Sequence, residues 1–152
     1  MSGYVMEMRK IVGHRPILMV GASTIVENEK GQILLQLRSD NHCWSYPGGS
    51  VELDEVVEEA AKRELFEETG LVANELELFG IFSGKDTHYI YPNGDEVSTI
   101  DIVYACRDYS GTLKCQEDEV DDLRFFNLDE IPDKISPPTL HIIKKWVEEH
   151  KK

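Results

Sequence analysis

Apolar residues recur along the chain in two patterns, one typical of strands and the other of helices. Five segments are rich in β-branched and other apolar residues, a composition that predicts strands. These segments are Ile17–Val26, Gln32–Arg38, Leu76–Gly84, Glu96–Tyr109 and Leu123–Leu128. The residues that separate them carry turn signals. A hairpin connection is predicted over Glu27–Gly31, with Gly31 at a positive φ, and a second turn over Tyr91–Asp95.

Two further segments repeat apolar residues at the spacing of a helix. The first is predicted over Glu55–Thr69, with Asp54 as its N-cap and Gly70 as its C-cap. The second is predicted over Thr139–His150, where apolar residues share one face. Strands combined with two helices predict an α/β fold, in which helices flank a mixed β-sheet.

The composition limits the class of protein and its compartment. With 152 residues the chain is long enough for a single domain, residues 1–152, with a buried core. No apolar run approaches the roughly 20 residues that span a bilayer, and no secretory signal is evident. Cys43, Cys106 and Cys115 are widely spaced and are interpreted as reduced thiols. We therefore expect a cytoplasmic protein that has no membrane partner.

The net charge of −13 restricts the ligands that the chain can bind. A nucleic-acid polymer is excluded as a partner, because binding its phosphates requires a basic surface. A small phosphorylated ligand is still compatible with this charge, provided that metal cations stand between the two sets of negative groups.

Three carboxylates of the first predicted helix point to such a metal site. At about 100° per residue, Glu64, Glu67 and Glu68 fall inside the arc of the apolar residues, so all three are predicted to face the protein body. Close carboxylates on a partly buried face stay ionised only when a cation joins them, and Arg63 alone supplies too little positive charge. We favour a metal site over a structural charge network. Oxygen ligands without His or Cys favour Mg²⁺, with Mn²⁺ as the alternative.

The glycines just upstream of this helix support the same hypothesis. Pro47–Gly49 is predicted to form a tight turn that brings a backbone carbonyl close to a metal ion. Magnesium that is held by few carboxylates usually bridges to substrate phosphates. The chemistry indicated is the attack of water on phosphorus, with cations neutralising the charge of the leaving group.

The segment from Gly49 to Leu71 resembles a complete Nudix box, the signature of the MutT-like Nudix hydrolases. Its fixed positions are all present: Gly49, Glu55, Arg63, Glu64, Glu67, Glu68 and Gly70, with Leu65 and Leu71 at aliphatic positions. Segments outside the box, such as 'ILLQLR' and 'FFNLDEIP', match the family less specifically. The resemblance implies an α/β/α sandwich and a small-molecule nucleotide substrate. It also implies hydrolysis of pyrophosphate linkages in nucleoside diphosphate derivatives with Mg²⁺ or Mn²⁺.

The resemblance also implies roles for individual residues. The metal ligands would be the Gly48 carbonyl, Glu64, Glu67 and Glu68, with Glu64 as either a ligand or the general base. Arg63 would pair with Glu55 and hold Glu64 in place. A downstream loop often adds another carboxylate to such sites. Of Glu117, Asp118 and Glu119, the last is favoured as a metal ligand with a catalytic role.

The resemblance is less informative about the substrate. Family members that act on ADP-ribose tend to carry a Pro about 16 positions after the box, whereas dinucleoside polyphosphate hydrolases tend to carry a Tyr nearby. Here Tyr89 lies 18 residues after Leu71 and the Pro is absent. Nucleoside triphosphates or dinucleoside polyphosphates are therefore favoured. An ADP-ribose or nucleotide-sugar pyrophosphatase, and a nucleotide-sensing module without hydrolysis, remain alternatives. A homodimer is left open.

Overall fold

A computed structural model describes residues 3–115 and 119–151 of the chain. The helices in these ranges are α1 (Tyr4–Val12), α2 (Val57–Thr69) and α3 (Pro137–His150). The strands are β1 (Ile17–Val26), β2 (Ile33–Arg38), β3 (Trp44–Ser45), β4 (Gly48–Ser50), β5 (Leu71–Phe82), β6 (His88–Ile90), β7 (Glu96–Gly111) and β8 (Val120–Phe126). A short 3-10 turn, Lys85–Thr87, precedes β6.

The strands form two sheets. The first has the order β4-β1-β7-β5, and β6 also pairs with β7. It is mixed, as predicted, because β1 and β7 run parallel while the other pairs are antiparallel. The second sheet, β3-β2-β8, is antiparallel and was not predicted. The hairpin expected between β1 and β2 is therefore reduced to one bridge, Glu27 with Ile33, beside a turn in which Gly31 has the predicted positive φ.

The main core lies between the two sheets and is closed by α3. Trp146 of α3 is fully buried and packs edge-to-face on Phe79 of β5, with 5.1 Å between the ring centroids. Trp44 packs in the same way on Phe126 of β8 at 4.9 Å. On its other side, β1 contacts α2 in a cluster that includes Ala22. Helices thus flank the mixed sheet, which confirms the predicted α/β architecture.

Helix α2 begins two residues later than predicted and is not capped as predicted. Its N-cap residue is Val56, which makes no side-chain capping bond. Asp54 instead lies in the preceding loop at φ 62°, a left-handed conformation that Asp tolerates better than most residues. The loop turns there because the Glu55 N–H donates to the Glu52 carbonyl at 3.1 Å. The predicted C-cap is confirmed, since Gly70 has φ 80° and its N–H bonds the last turn.

Two elements near the site differ from the sequence prediction. Helix α1 was not predicted; it has no fully buried residue and is fastened by Arg9, whose guanidinium donates to the Glu96 carbonyl at 2.6 Å. Pro47–Gly49 was predicted as a tight turn, but Gly48 and Gly49 lie in the extended strand β4 and pair with β1. Within the two described ranges, no helix is long and apolar enough to cross a membrane.

Candidate active site

Helix α2 buries two of the three carboxylates that were predicted to face the protein body. Glu64 and Glu68 are 4% and 5% exposed, whereas the side chain of Glu67 is 49% exposed. The prediction was therefore wrong for Glu67. Its apolar arc was set from Val56, which precedes the helix and is itself exposed. The buried arc includes Ala60, Glu64 and Glu68, so Glu67 lies at its edge.

Strand β4 brings two glycines against the buried carboxylates. The Gly48 N–H donates to Glu68 Oε2 at 3.1 Å. A side chain at Gly49 would overlap the Glu64 carboxylate. Both glycines have ordinary extended backbones, so they are required here for close approach and not for a turn.

Arg63 joins the carboxylates of the box. Its guanidinium binds Glu55 in a bidentate pair at 2.7 and 2.9 Å. The same group donates to Glu64 Oε1 at 2.8 Å and lies 3.3 Å from Glu67 Oε2. It also donates to the Ser50 carbonyl at 3.2 Å. One planar cation thereby ties α2 to the loop before it and to the end of β4.

The buried pair of carboxylates is electrostatically strained in the absence of a cation. Burial raises the pKa of Glu64, although the Arg63 guanidinium opposes the shift. Burial also raises the pKa of Glu68, and the nearby Glu64 charge raises it further. The buried Gln36 amide donates to Glu68 Oε1 at 2.6 Å and favours the ionised form. The sequence interpretation missed Gln36, whose signal was a polar residue inside an apolar strand.

The donors at this site fit a hard divalent cation. Two buried carboxylates with raised pKa values would exchange protons for a cation, which prefers oxygen ligands. Pro47, just before β4, directs its carbonyl at β1, where it accepts a bond from Thr24 N–H. Backbone groups of successive residues point to opposite sides of a strand, so the N–H and carbonyl of Gly48 point away from β1, on the side of Glu68.

Other features of the site qualify this fit. Among the described residues, no group of three His, Cys, Asp or Glu side chains is already arranged to hold an ion, and Arg63 stands between Glu64 and Glu67. Glu119 immediately precedes β8, and its carbonyl accepts a bond from Ser39 N–H at 3.0 Å. Its role as a ligand stays a prediction. Glu117 and Asp118 lie outside the described residues.

A cavity of about 440 Å³ opens beside β4 on the face of the first sheet opposite α2. We call it the cleft, and Met19, Ser23, Tyr46, Tyr91 and Asp101 are among the residues that line it. Met19 and Ser23 alternate along β1 with Ala22, which packs toward α2, and this alternation places the cleft on the opposite face.

Arg38 and Tyr89 contribute polar and aromatic groups at the cleft. Arg38 lines it and forms a bidentate pair with Asp40 at 2.6 and 2.9 Å. Tyr89 packs edge-to-face on the cleft residue Tyr91, with the ring centroids 4.9 Å apart, and its hydroxyl accepts a bond from Asn41. The Arg38 guanidinium and the Tyr91 ring therefore form part of the cleft wall against which a ligand would bind.

Comparison with known proteins connects this site to one family. The NUDIX domain model matches residues 17–146. A curated relative, the ADP-ribose pyrophosphatase of Methanocaldococcus jannaschii, is 37% identical over 131 residues, which is 84% of this chain and 72% of that protein. The putative 8-oxo-dGTP diphosphatase of Bacillus subtilis is 48% identical over 62 residues, only 41% of this chain and 42% of that protein.

Solved structures show the same architecture. The crystal structure of the MutT NUDIX hydrolase from Burkholderia pseudomallei has a TM-score of 0.72 at 27% identity and covers 90% of this chain and 99% of that one. The NUDIX domain of Shewanella oneidensis NrtR, crystallised with ADP ribose, has a TM-score of 0.71 at 18% identity, covering 94% and 97% of the two chains. At that identity the second likeness concerns the fold alone.

Proposed function

The chain belongs to the Nudix family of hydrolases, and we propose that it cleaves the pyrophosphate linkage of nucleoside diphosphate derivatives, with nucleoside triphosphates or dinucleoside polyphosphates favoured. The observation that carries this proposal is the buried pair Glu64 and Glu68, placed against the glycines of β4 at the rim of the cleft. Two buried carboxylates with raised pKa values lower the stability of the fold. Groups of this kind cluster at functional sites, and here their function would be to hold cations that bind the substrate phosphates.

Each residue of the site has a definite part in this chemistry. A bound Mg²⁺, or Mn²⁺ in its place, would supply the positive charge that neutralises the phosphates during attack by water. Glu68, Glu67 and the Gly48 carbonyl would hold it, with Glu119 as a further ligand. Glu64 would either complete the ligand set or accept the proton of the attacking water. Arg63, anchored on Glu55, would fix the Glu64 carboxylate in the orientation that either role requires.

ADP-ribose is a second candidate substrate, because the archaeal relative that matches 84% of this chain is named an ADP-ribose pyrophosphatase. Binding without hydrolysis, the third alternative, is disfavoured by the complete set of box carboxylates. We further propose a cytoplasmic location and one domain over residues 1–152. No nucleic-acid polymer or membrane is proposed as a partner, and a homodimer stays open.

The test is Glu68→Gln, which keeps the shape of the side chain and removes its charge. With Mg²⁺, the wild-type enzyme is assayed on nucleoside triphosphates, dinucleoside polyphosphates, nucleotide sugars and ADP-ribose. We expect kcat/KM on the best substrate to fall by about 100-fold or more. Glu58→Gln, an exposed change on the same helix, is the matched control and should leave kcat/KM unchanged. Unchanged turnover by Glu68→Gln, or nucleotide binding by the wild type without product, would refute the proposal.

A further inference from the structure

The cleft has a carboxylate at its floor that belongs to no part of the Nudix box. Asp101, on β7, is 7% exposed and lines the cleft. The Ser23 hydroxyl donates to its Oδ1 and the Tyr46 hydroxyl donates to its Oδ2, both at 2.7 Å. One donor for each oxygen is the arrangement that supports an ionised carboxylate, since a carboxylate accepts bonds and donates none.

This carboxylate is incompletely compensated. Among the described residues, no Lys, Arg or His forms an ion pair with Asp101. Burial raises the pKa of Asp101, and the two hydroxyl bonds and the nearby His141 oppose the shift. A carboxylate has about four acceptor positions, and groups of the described residues use two of them. The remaining positions are free for donors that a ligand would bring into the cleft.

Gly21 and Ser45 contribute to the wall of the cleft that Asp101 lines. Gly21 lies beside the carboxylate, and a methyl group there would stand 3.3 Å from Asp101 Oδ1. The φ of Gly21 is not positive, so its backbone does not require glycine. Ser45 also lines the cleft; its hydroxyl is buried and has no hydrogen-bond partner among the described residues. Such groups are normally paired with protein or water, so the Ser45 hydroxyl adds a polar group to the cleft wall.

The floor of the cleft is directly connected to the box carboxylates. The Ser23 side chain, bonded to Asp101, lies against Gly48, where any side chain would overlap the Ser23 hydroxyl. The N–H of Gly48 is bonded to Glu68. One ligand could therefore place a flat ring at Asp101 and its phosphates across β4 at Glu68.

We propose that Asp101 is a specificity-determining residue that selects a guanine-type base, one whose edge carries two adjacent N–H donors. This inference rests on the proposed function, because it assumes that a nucleotide occupies the cleft. The two oxygens of the carboxylate match the ring N–H and the exocyclic amino group of guanine as a bidentate pair. Adenine presents a ring nitrogen acceptor beside its amino group, and that acceptor would face an anion.

The expected discrimination is large. A pocket that distinguishes two ligands only by size separates them by about 10–200-fold, whereas a mismatched buried polar group costs more. GTP and ATP share their ribose and phosphates, so their ratio of kcat/KM isolates the base. We expect the wild-type enzyme to favour GTP over ATP by about 100-fold or more.

Two variants test the role of the carboxylate. Asp101→Asn replaces one acceptor by a donor, and it should lower the GTP to ATP ratio at least about 10-fold. Gly21→Ala adds a methyl group 3.3 Å from Oδ1 without changing Asp101, and it should also lower this ratio. It is the second test of the carboxylate, to be used where Asp101→Asn folds poorly. Leu18→Met, an exposed apolar change on the same strand outside the cleft lining, is the matched control and should preserve the ratio.

The ratio also separates this inference from the proposed function. If wild-type enzyme turns over GTP and ATP equally while Glu68→Gln loses both, the hydrolase stands and the role of Asp101 is refuted. An unchanged ratio in both Asp101→Asn and Gly21→Ala refutes it as well. Binding of GDP and ADP to Glu68→Gln gives the same comparison without turnover, and a preference for ADP would overturn the inference.

Discussion

Replacing Arg63 by Met would test whether this residue is the counterion of a buried carboxylate. The guanidinium donates to Glu64 at 2.8 Å and to Glu55 through two bonds. Met is similar in length and apolar, so the variant removes the charge and keeps much of the packing. Glu64, at 4% exposure, would then be buried without its cation.

The size of the effect is limited by the chemistry of Glu64 itself. If its ionised form becomes too unfavourable, Glu64 takes up a proton. At pH 7 this protonation costs about 1.36 kcal/mol for each pH unit above the ordinary pKa of about 4.3, so the loss has an upper limit of roughly 3.7 kcal/mol. At pH 5 the same limit is only about 1 kcal/mol. The bonds to Glu55 are partly exposed and add about 1 kcal/mol at most. We therefore expect a loss of about 2–4 kcal/mol at pH 7 and of about 1–2 at pH 5.

The way in which the stability loss of Arg63→Met changes with pH follows from proton uptake by Glu64. Without Arg63 the pKa of Glu64 in the folded state rises further above its value in the unfolded chain, so the folded variant binds more protons than wild type in that window. Its stability deficit relative to wild type therefore grows as pH rises through the folded pKa of Glu64 in the wild type, which already lies above about 4.3. Urea unfolding in EDTA at pH 5 and pH 7 measures it, with Glu67→Gln as a control that should change stability by less than about 0.5 kcal/mol. A deficit that is equal at the two pH values would refute this role for Arg63.

Three further predictions concern the same cluster. Gly49→Ala should reduce kcat with Mg²⁺ by at least about 10-fold, because the added methyl group would push Glu64 away from Arg63; steady-state kinetics beside an unfolding measurement checks this. Because the pKa values of Glu64 and Glu68 are raised, the metal-free folded protein binds more protons than the unfolded chain above pH of about 4.3, and its free energy of unfolding should fall as pH rises toward the folded pKa values. Urea unfolding should show Mn²⁺ at 100 times its Kd restoring about 2.7 kcal/mol in the wild type but not in Glu68→Gln, and the same increment in both proteins would contradict the ligand role of Glu68.

The sequence predicted best those features that depend on residues close together in the chain. Strand β1 has the bounds that its apolar run predicted, and Gly70 ends α2 at the predicted position. The contacts of Arg63 with Glu55 and Glu64 also span short separations, so the spacing of the box was sufficient to suggest them. Periodicity failed for Glu67, because a helical wheel fixes relative angles but the protein body fixes which arc is covered.

The features that escaped prediction depend on contacts between distant segments. Helix α1 buries no residue fully, so its apolar pattern carried little signal, and it is held by an arginine bond to Glu96, 87 residues away. Asp101 lies in an apolar strand and meets Ser23 across 78 residues of sequence. Its only signal was an acidic residue within 'STIDIV', and this gains meaning only when β1 is placed beside β7.

The placement of acidic groups on the two sides of β4 follows a single physical logic. Burial raises the pKa values of Glu64 and Glu68 on the α2 side, whereas Asp101 on the cleft side accepts bonds from two hydroxyl donors and has further acceptor positions. A nucleotide has complementary ends: its phosphates attract cations, and a base with N–H donors can bind a carboxylate directly. Under both proposals one ligand would compensate both groups, since only the glycines of β4 separate them. Each buried acid lowers the stability of the ligand-free protein, and binding of the nucleotide would restore that stability. At Asp101 the gain would require a base whose edge carries N–H donors.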